Sequence, residues 1–195
     1  MNRRGDGVWV FGYGSLIWRP DIPFREQRVA YAQGWTRRFW QGSHDHRGLP
    51  HAPGRVVTIV PGTGVSCGGM AYFVEVAAIC ETWDELDDRE KNGYQRETVR
   101  LTFRGGASDG TAIGAADGAV YVAPVGNSAW LGPAPFPEIA RQILRSEGLS
   151  GTNIDYMRQL AGALRRFGIK DDHVFRLERH VEDLARQARS RENRR

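Results

Sequence analysis

The stretch MAYFVEVAAICETWDELDDREKNGY, residues 70–94, changes its hydrophobic period midway and decides the fold class. MAYFVEV (70–76) is rich in β-branched and aromatic residues and reads as a strand. From about 77 to 91, Ile79, Trp83 and Leu86 fall at i, i+4 and i+7. At about 100° per residue they occupy an arc of about 60° on a helix. Position 90 falls in the same arc, and it is Glu. Asp84, Glu85, Asp87 and Asp88 point elsewhere, and Asn92-Gly93 supplies a C-terminal stop. A carboxylate on an apolar face is costly unless paired or protonated. Its pKa is expected to rise, which suits a proton shuttle near neutral pH. The other reading is a structural Glu paired with Arg89, Arg96, Arg47 or Arg55.

Outward from this stretch, the first two-thirds of the chain predicts strands and the last third helices. VWVF (8–11), RRFWQG (37–42), RVVTIV (55–60), ETVRLTF (97–103) and AVYVA (119–123) are strand candidates, most of them bounded by Gly, Pro, Asn or Asp. Long loops are expected at 43–54 and 104–118; the second is Gly/Ala-rich, mobile, and either a plain hairpin insertion or a lid. Pro137 opens a helix carrying Ile139, Ile143 and Leu144 up to Gly148. Thr152 or Asn153 caps the next, with Tyr156, Leu160, Leu164 and Phe167 on one face and Gly168 as the stop. Val174, Leu177, Val181 and Leu184 form a last amphipathic stripe.

The chain has 195 residues, 41% apolar and 10% aromatic, which fits one folded domain and excludes global disorder. That domain is placed at 8–187, with residues 1–7 and 188–195 as disordered ends. The net charge of +4 is uneven: residues 165–195 hold ten Lys/Arg against six Asp/Glu, which leaves seventeen of each elsewhere. The basic character therefore belongs to an Arg-rich end, and a nucleic-acid partner is not expected. Cys67 and Cys80 form no CxxC and no metal spacing, so two free thiols are expected. MNRRGDG before Val8–Trp18 mimics a signal peptide, but Gly12, Gly14 and Ser15 interrupt the run and no cleavage site follows. With no apolar stretch of about 20 residues, no membrane partner is expected and the protein is placed in the cytoplasm.

Two further segments could carry chemistry. In GYGSL (12–16), glycines on both sides of Tyr13 permit a tight turn whose N–H groups converge on a carboxylate or an oxyanion. It is neither GxGxxG nor a P-loop, and a plain turn is the other reading. In QGSHDHRGLPHAPGR (41–55), Arg47 and Arg55 could clamp a carboxylate or brace a polar loop. His44, His46 and His51 fit no common zinc spacing, so no metal is expected.

VFGYGSLIW (10–18), RRFWQGSHDHRGLPHAPGRVVTIV (37–60), REKNGY (89–94), LGPAP (131–135) and GTNIDYMRQL (151–160), in this order, closely resemble the ChaC-type, glutathione-specific γ-glutamylcyclotransferases. The likeness runs from about Val8 to about Leu184. YGSL marks the wider superfamily; the QGS-x-DHRG-x-P-x-x-PGR block points to the glutathione-cleaving branch. The resemblance implies an α+β fold, a small β-barrel with helices around it. It implies conversion of glutathione to 5-oxoproline and Cys-Gly without cofactor or metal. It assigns catalysis to Glu90 and substrate binding to Tyr13, Gly14, Ser15, Leu16 and Tyr156, with Arg47 or Arg55 meeting the glycine carboxylate. The rival readings are a cyclotransferase for other γ-glutamyl amino acids or amines, and a non-catalytic ligand- or nucleic-acid-binding protein of the same fold. The oligomeric state is not legible.

Overall fold

A computed structural model describes residues 7–104 and 112–192. Thirteen elements run from β1 (Gly7–Gly12), β2 (Glu26–Ser43) and β3 (Gly54–Glu75) through helix α1 (Ile79–Arg89), β4 (Gln95–Arg104) and β5 (Ala112–Val122). Helices α2 (Phe136–Arg145), α3 (Asn153–Arg166) and α4 (Asp172–Glu192) follow. The remainder are 3-10 turns at Ser15–Ile17 and Val76–Ala78 and a two-stranded ribbon of β6 (Glu147–Gly148) and β7 (Gly151–Thr152). The chain divides into two compact units, Met1–Arg37 with Ile59–Pro124, and Arg38–Thr58 with Val125–Arg195.

In the first unit the strands close a barrel in the order β1-β3-β2-β4-β5. β1 runs antiparallel to β3 with Val10 opposite Tyr72, and parallel to β5 with Trp9 opposite Gly118. β4 shows the alternation expected of a half-buried strand: Val99, Leu101 and Phe103 are buried, and Arg100 and Arg104 are exposed. Gly118 is required where the barrel closes, because a Cβ there would meet Leu101 Cδ1 at 2.6 Å and the Trp9 carbonyl at 3.1 Å. Val10, Ala30, Ala32, Ala71, Val74 and Val120 complete this core.

In the second unit, Ile139 and Ile143 of α2, Leu160 and Leu164 of α3, and Val174, Leu177 and Val181 of α4 are fully buried. These are the helical stripes read from the sequence. Thr152 is the N-cap of α3, its side chain accepting from the Asp155 N–H at 3.2 Å.

The fold is α+β with a barrel, as expected, but the strands are longer than the local pattern indicated. Residues 26–36 belong to β2, and the expected break between 60 and 70 is continuous strand. Pro61 and the glycines at 62, 64, 68 and 69 read locally as a turn, yet they lie within β3. The expected loop 104–118 is corrected likewise: residues 112–118 pair with β4, as in Ala116 opposite Leu101, while 105–111 lie outside the described residues. Of the ends expected to be disordered, Gly7 is in β1 and 188–192 continue α4; residues 1–6 and 193–195 lie outside the described residues. Among the described residues no helix is long and apolar enough to cross a membrane.

Candidate active site

Glu90 directly follows α1 as its C-cap; its N–H still donates to the Leu86 carbonyl at 2.9 Å. Leu86 and Thr82 are fully buried, and Trp83 and Ile79 are half-buried. The buried face is thus turned slightly from the predicted stripe, but it still ends at Glu90. The helix unwinds there because Gly93 takes φ +80°, a left-handed conformation open to glycine.

Burial drives the Glu90 carboxyl up to about 7, and the Arg89 guanidinium opposes that rise. Among the described residues no hydrogen bond or ion pair holds this carboxylate. Of the four arginines that could pair with it, none makes an ion pair with it among the described residues, and Arg89 acts on it by charge without such a pair. Arg89 donates to Ser15 Oγ, and the Arg96 guanidinium lies 4.4 Å from the centre of the Trp83 ring. Arg47 and Arg55 belong to the second unit and bond within it.

Facing this helix end is the turn after β1. Gly14 precedes a 3-10 turn over Ser15–Ile17, in which Ile17 N–H bonds the Gly14 carbonyl at 3.0 Å. GYGSL therefore runs into a short helical turn that begins at Ser15. Among the described residues the N–H groups of Gly14, Ser15 and Leu16 have no recorded acceptor. Such donors at the start of a helical turn suit an anion. Tyr13 and Leu16 are buried, so what they offer a ligand is backbone. The Tyr13 hydroxyl is committed to the Tyr121 carbonyl at 2.7 Å, and the Leu16 carbonyl accepts from the Tyr72 hydroxyl at 2.7 Å.

Several contacts that shape this region escaped the sequence reading, which offered Arg89 only as a partner for Glu90 and did not single out Tyr121 or Arg37. Arg89 donates to Ser15 Oγ at 3.0 Å and to the Arg19 and Pro20 carbonyls at 2.9 and 3.2 Å. The Tyr121 hydroxyl donates to Asp87, and burial together with that carboxylate raises the Tyr121 pKa. Arg37 is fully buried and donates to the Tyr13 carbonyl at 2.8 Å and to the Gly68 carbonyl. Partners this distant in sequence leave no periodic signal; only a buried arginine beside a strand pattern marks Arg37.

Arg47, Arg55 and Tyr156 lie in the second unit. Arg47 donates to the Thr152 carbonyl at 3.1 Å, and its guanidinium lies 5.8 Å from the Tyr156 ring centre. The Tyr156 hydroxyl accepts from Val57 N–H at 3.4 Å. Arg55 is buried, with Nη1 on the Phe39 and Gly132 carbonyls at 2.9 Å and Nε on Gln142 Oε1 at 2.7 Å. Of the two readings of Arg55, these bonds favour the brace. His46 Nδ1 pairs with Ser150 Oγ at 2.9 Å. Among the described residues no three His, Cys, Asp or Glu side chains cluster as a metal site.

The raised Glu90 pKa has a consequence for stability. The folded protein holds this proton more tightly than the unfolded chain, in which the carboxyl titrates near 4.5. Stability from this group therefore falls as pH rises from about 4.5 through 7. Glu90→Gln removes that slope. The melting temperature of the variant relative to the parent should increase between pH 5 and pH 8, as followed by circular dichroism.

A family model described as ChaC-like protein matches residues 8–184. Gamma-glutamylcyclotransferase 2-3 of Arabidopsis thaliana is 40% identical, over 93% of this chain and 88% of its own. Human glutathione-specific gamma-glutamylcyclotransferase 1 is 38% identical, over 88% of this chain and 78% of its own. The crystal structure of a yeast γ-glutamylcyclotransferase specific to glutathione superposes with a TM-score of 0.83 at 28% identity, covering 92% of this chain and 97% of the yeast one. Matched over nearly its whole length and this similar to curated relatives, the chain belongs to the ChaC-like protein family.

Proposed function

We propose that this protein is a glutathione-specific γ-glutamylcyclotransferase, with Glu90 as its general acid/base. The names of the relatives support the substrate and the reaction. The observation that carries the role of Glu90 is a half-buried residue whose carboxyl is raised by burial and has no ion pair among the described residues, at a helix end that Arg89 ties to the 13–16 turn.

The chemistry requires no protein nucleophile. The substrate's α-amine attacks its own γ-carbonyl carbon; a new C–N bond closes the five-membered lactam, and the amide C–N bond to cysteine breaks. Holding the glutamyl arm folded supplies the proximity. The amine is mostly ammonium at neutral pH, since a peptide α-amino group titrates near about 8. Glu90 takes its proton and then gives one to the departing amine of Cys-Gly. A carboxyl near 7 suits both tasks, because it accepts and releases a proton at similar cost. The N–H groups of Gly14, Ser15 and Leu16 are assigned to the glutamyl carboxylate or the developing oxyanion.

The test is incubation with glutathione and mass-spectrometric detection of 5-oxoproline and Cys-Gly in equal amounts, with γ-Glu-Cys and other γ-glutamyl compounds alongside. In the rate profile, kcat/KM should fall about tenfold per pH unit below about 7, as the carboxyl gains its proton and can no longer accept one. Release of 5-oxoproline from γ-glutamyl amines but not from glutathione would transfer the activity to the rival substrate class. A rate that stays flat down to pH 5 would remove Glu90 as the base.

A further inference from the structure

The helix residue just before Glu90 makes a set of bonds that the reaction scheme does not use. The Arg89 guanidinium, partly buried, donates to Ser15 Oγ, the Arg19 carbonyl and the Pro20 carbonyl at 3.0, 2.9 and 3.2 Å. Its nearest acid is Asp21, at 3.8 Å, and Asp21 is already paired with Arg19 at 2.5 Å. Arg89 thus binds the backbone and hydroxyl of the 13–20 segment more closely than it does the Asp21 carboxylate. A planar guanidinium with diverging N–H groups can bind three such acceptors at once, and an ammonium cannot match that geometry.

The neighbouring residue is the carboxyl on which proton transfer depends. We propose that Arg89 is a positioning residue for the reaction: it fixes the 13–16 turn against the end of α1 and keeps a cation beside Glu90, so that the anion-binding turn and the proton carrier are held in one geometry. This deepens the cyclotransferase reading and rests on it. A second tie supports the arrangement. Tyr121 of β5 accepts from the Tyr13 hydroxyl through its carbonyl and donates to Asp87 of α1 through its own hydroxyl. Among the described residues the turn and the helix end are thus joined through both Arg89 and Tyr121, and of these two ties the Arg89 one brings positive charge to Glu90.

The electrostatics agree in sign. Burial raises the Glu90 carboxyl and Arg89 opposes that rise. The other charged or titratable groups around this helix end include Arg19 and Asp21 of the turn segment, Tyr72 of β3, Arg96 of β4, the Asp87–Tyr121 pair and the Lys91–Asp88 ion pair that flanks Glu90. Arg89 is the cation that lowers both Glu90 and Tyr72.

Three variants test this: Arg89→Gln removes the charge, Arg89→Lys keeps it, and Ser15→Ala removes one tie without touching α1. Two readouts are followed in each: 5-oxoproline release across pH, and the titration of the Glu90 carboxyl carbon by NMR, which needs no turnover. Arg89→Gln should lower kcat/KM for glutathione by roughly 10²-fold, the scale of a misplaced reacting group. Its Glu90 midpoint should move above that of the parent. Arg89→Lys should leave the midpoint near the parent's while still losing activity, because the three-way tie is gone. Ser15→Ala should raise KM and leave the midpoint in place. An Arg89→Gln protein whose Glu90 midpoint is unmoved, or whose kcat/KM stays within about twofold of the parent, overturns the inference. If the parent itself releases no 5-oxoproline, the functional reading falls, and the NMR titration alone decides whether Arg89 controls Glu90.

Discussion

Glu90→Gln should lower turnover of glutathione by at least roughly 10²-fold while the protein folds and still binds the tripeptide. The amide keeps the size of the side chain but can neither accept the α-ammonium proton nor return one to Cys-Gly. No neighbouring acid is placed to take over. Asp87 is held by the Tyr121 hydroxyl, and Asp21 is paired with Arg19. Because the loss falls on the chemical step, it should appear in kcat, with KM little changed. Single-turnover release of 5-oxoproline, with glutathione binding measured separately by calorimetry, distinguishes the two. Release at a near-parental rate by a folded variant would show that another group carries the proton.

Glu90 was legible because helical periodicity is a local signal: Ile79, Trp83 and Leu86 define a stripe, and a carboxylate at its end is conspicuous. The same signal overran by about two residues at each end, since the helix is Ile79–Arg89 and Glu90 is its cap. Local pattern also found buried rows of α2, α3 and α4 and the existence of β4. It failed where long-range pairing overrides composition. The glycines at 62–69 lie in a 22-residue strand, and residues 112–118 pair with β4 despite their Gly/Ala character. The ties around the site were invisible for a related reason. Arg89 reaches back some seventy residues to Ser15, and Tyr121 meets partners 34 and 108 residues away. Closure of the barrel creates those neighbours, and no spacing in the chain announces them. Arg55 was left between clamp and brace for want of the same information: a buried arginine that binds a ligand and one that binds carbonyls look alike in sequence.

Arg55→Met should therefore act on stability first, with a loss of about 3 kcal/mol or more. The guanidinium satisfies the Phe39 carbonyl, the Gly132 carbonyl and Gln142 Oε1, and each buried acceptor left without a donor costs about 1–3 kcal/mol. The Arg55 backbone adds to the same junction: its N–H donates to Asn153 Oδ1 at 2.7 Å and its carbonyl accepts from Asn153 Nδ2 at 2.8 Å. Residue 55 thus ties the end of β2, the start of β3, the segment before α2, α2 itself and the first residue of α3. Methionine fills much of the volume but supplies no donor. Against a total stability of about 5–15 kcal/mol, a loss of this size moves the urea midpoint far, with the slope of the transition little changed. If Arg55 served the substrate instead, the variant would unfold at the parental midpoint. It would then raise KM for glutathione while leaving γ-Glu-Cys, which lacks the glycine carboxylate, unaffected. The two outcomes separate cleanly, because a guanidinium bonded to protein carbonyl oxygens at Phe39, Gly132 and Gln142 has little left to offer a ligand without first breaking the junction it holds.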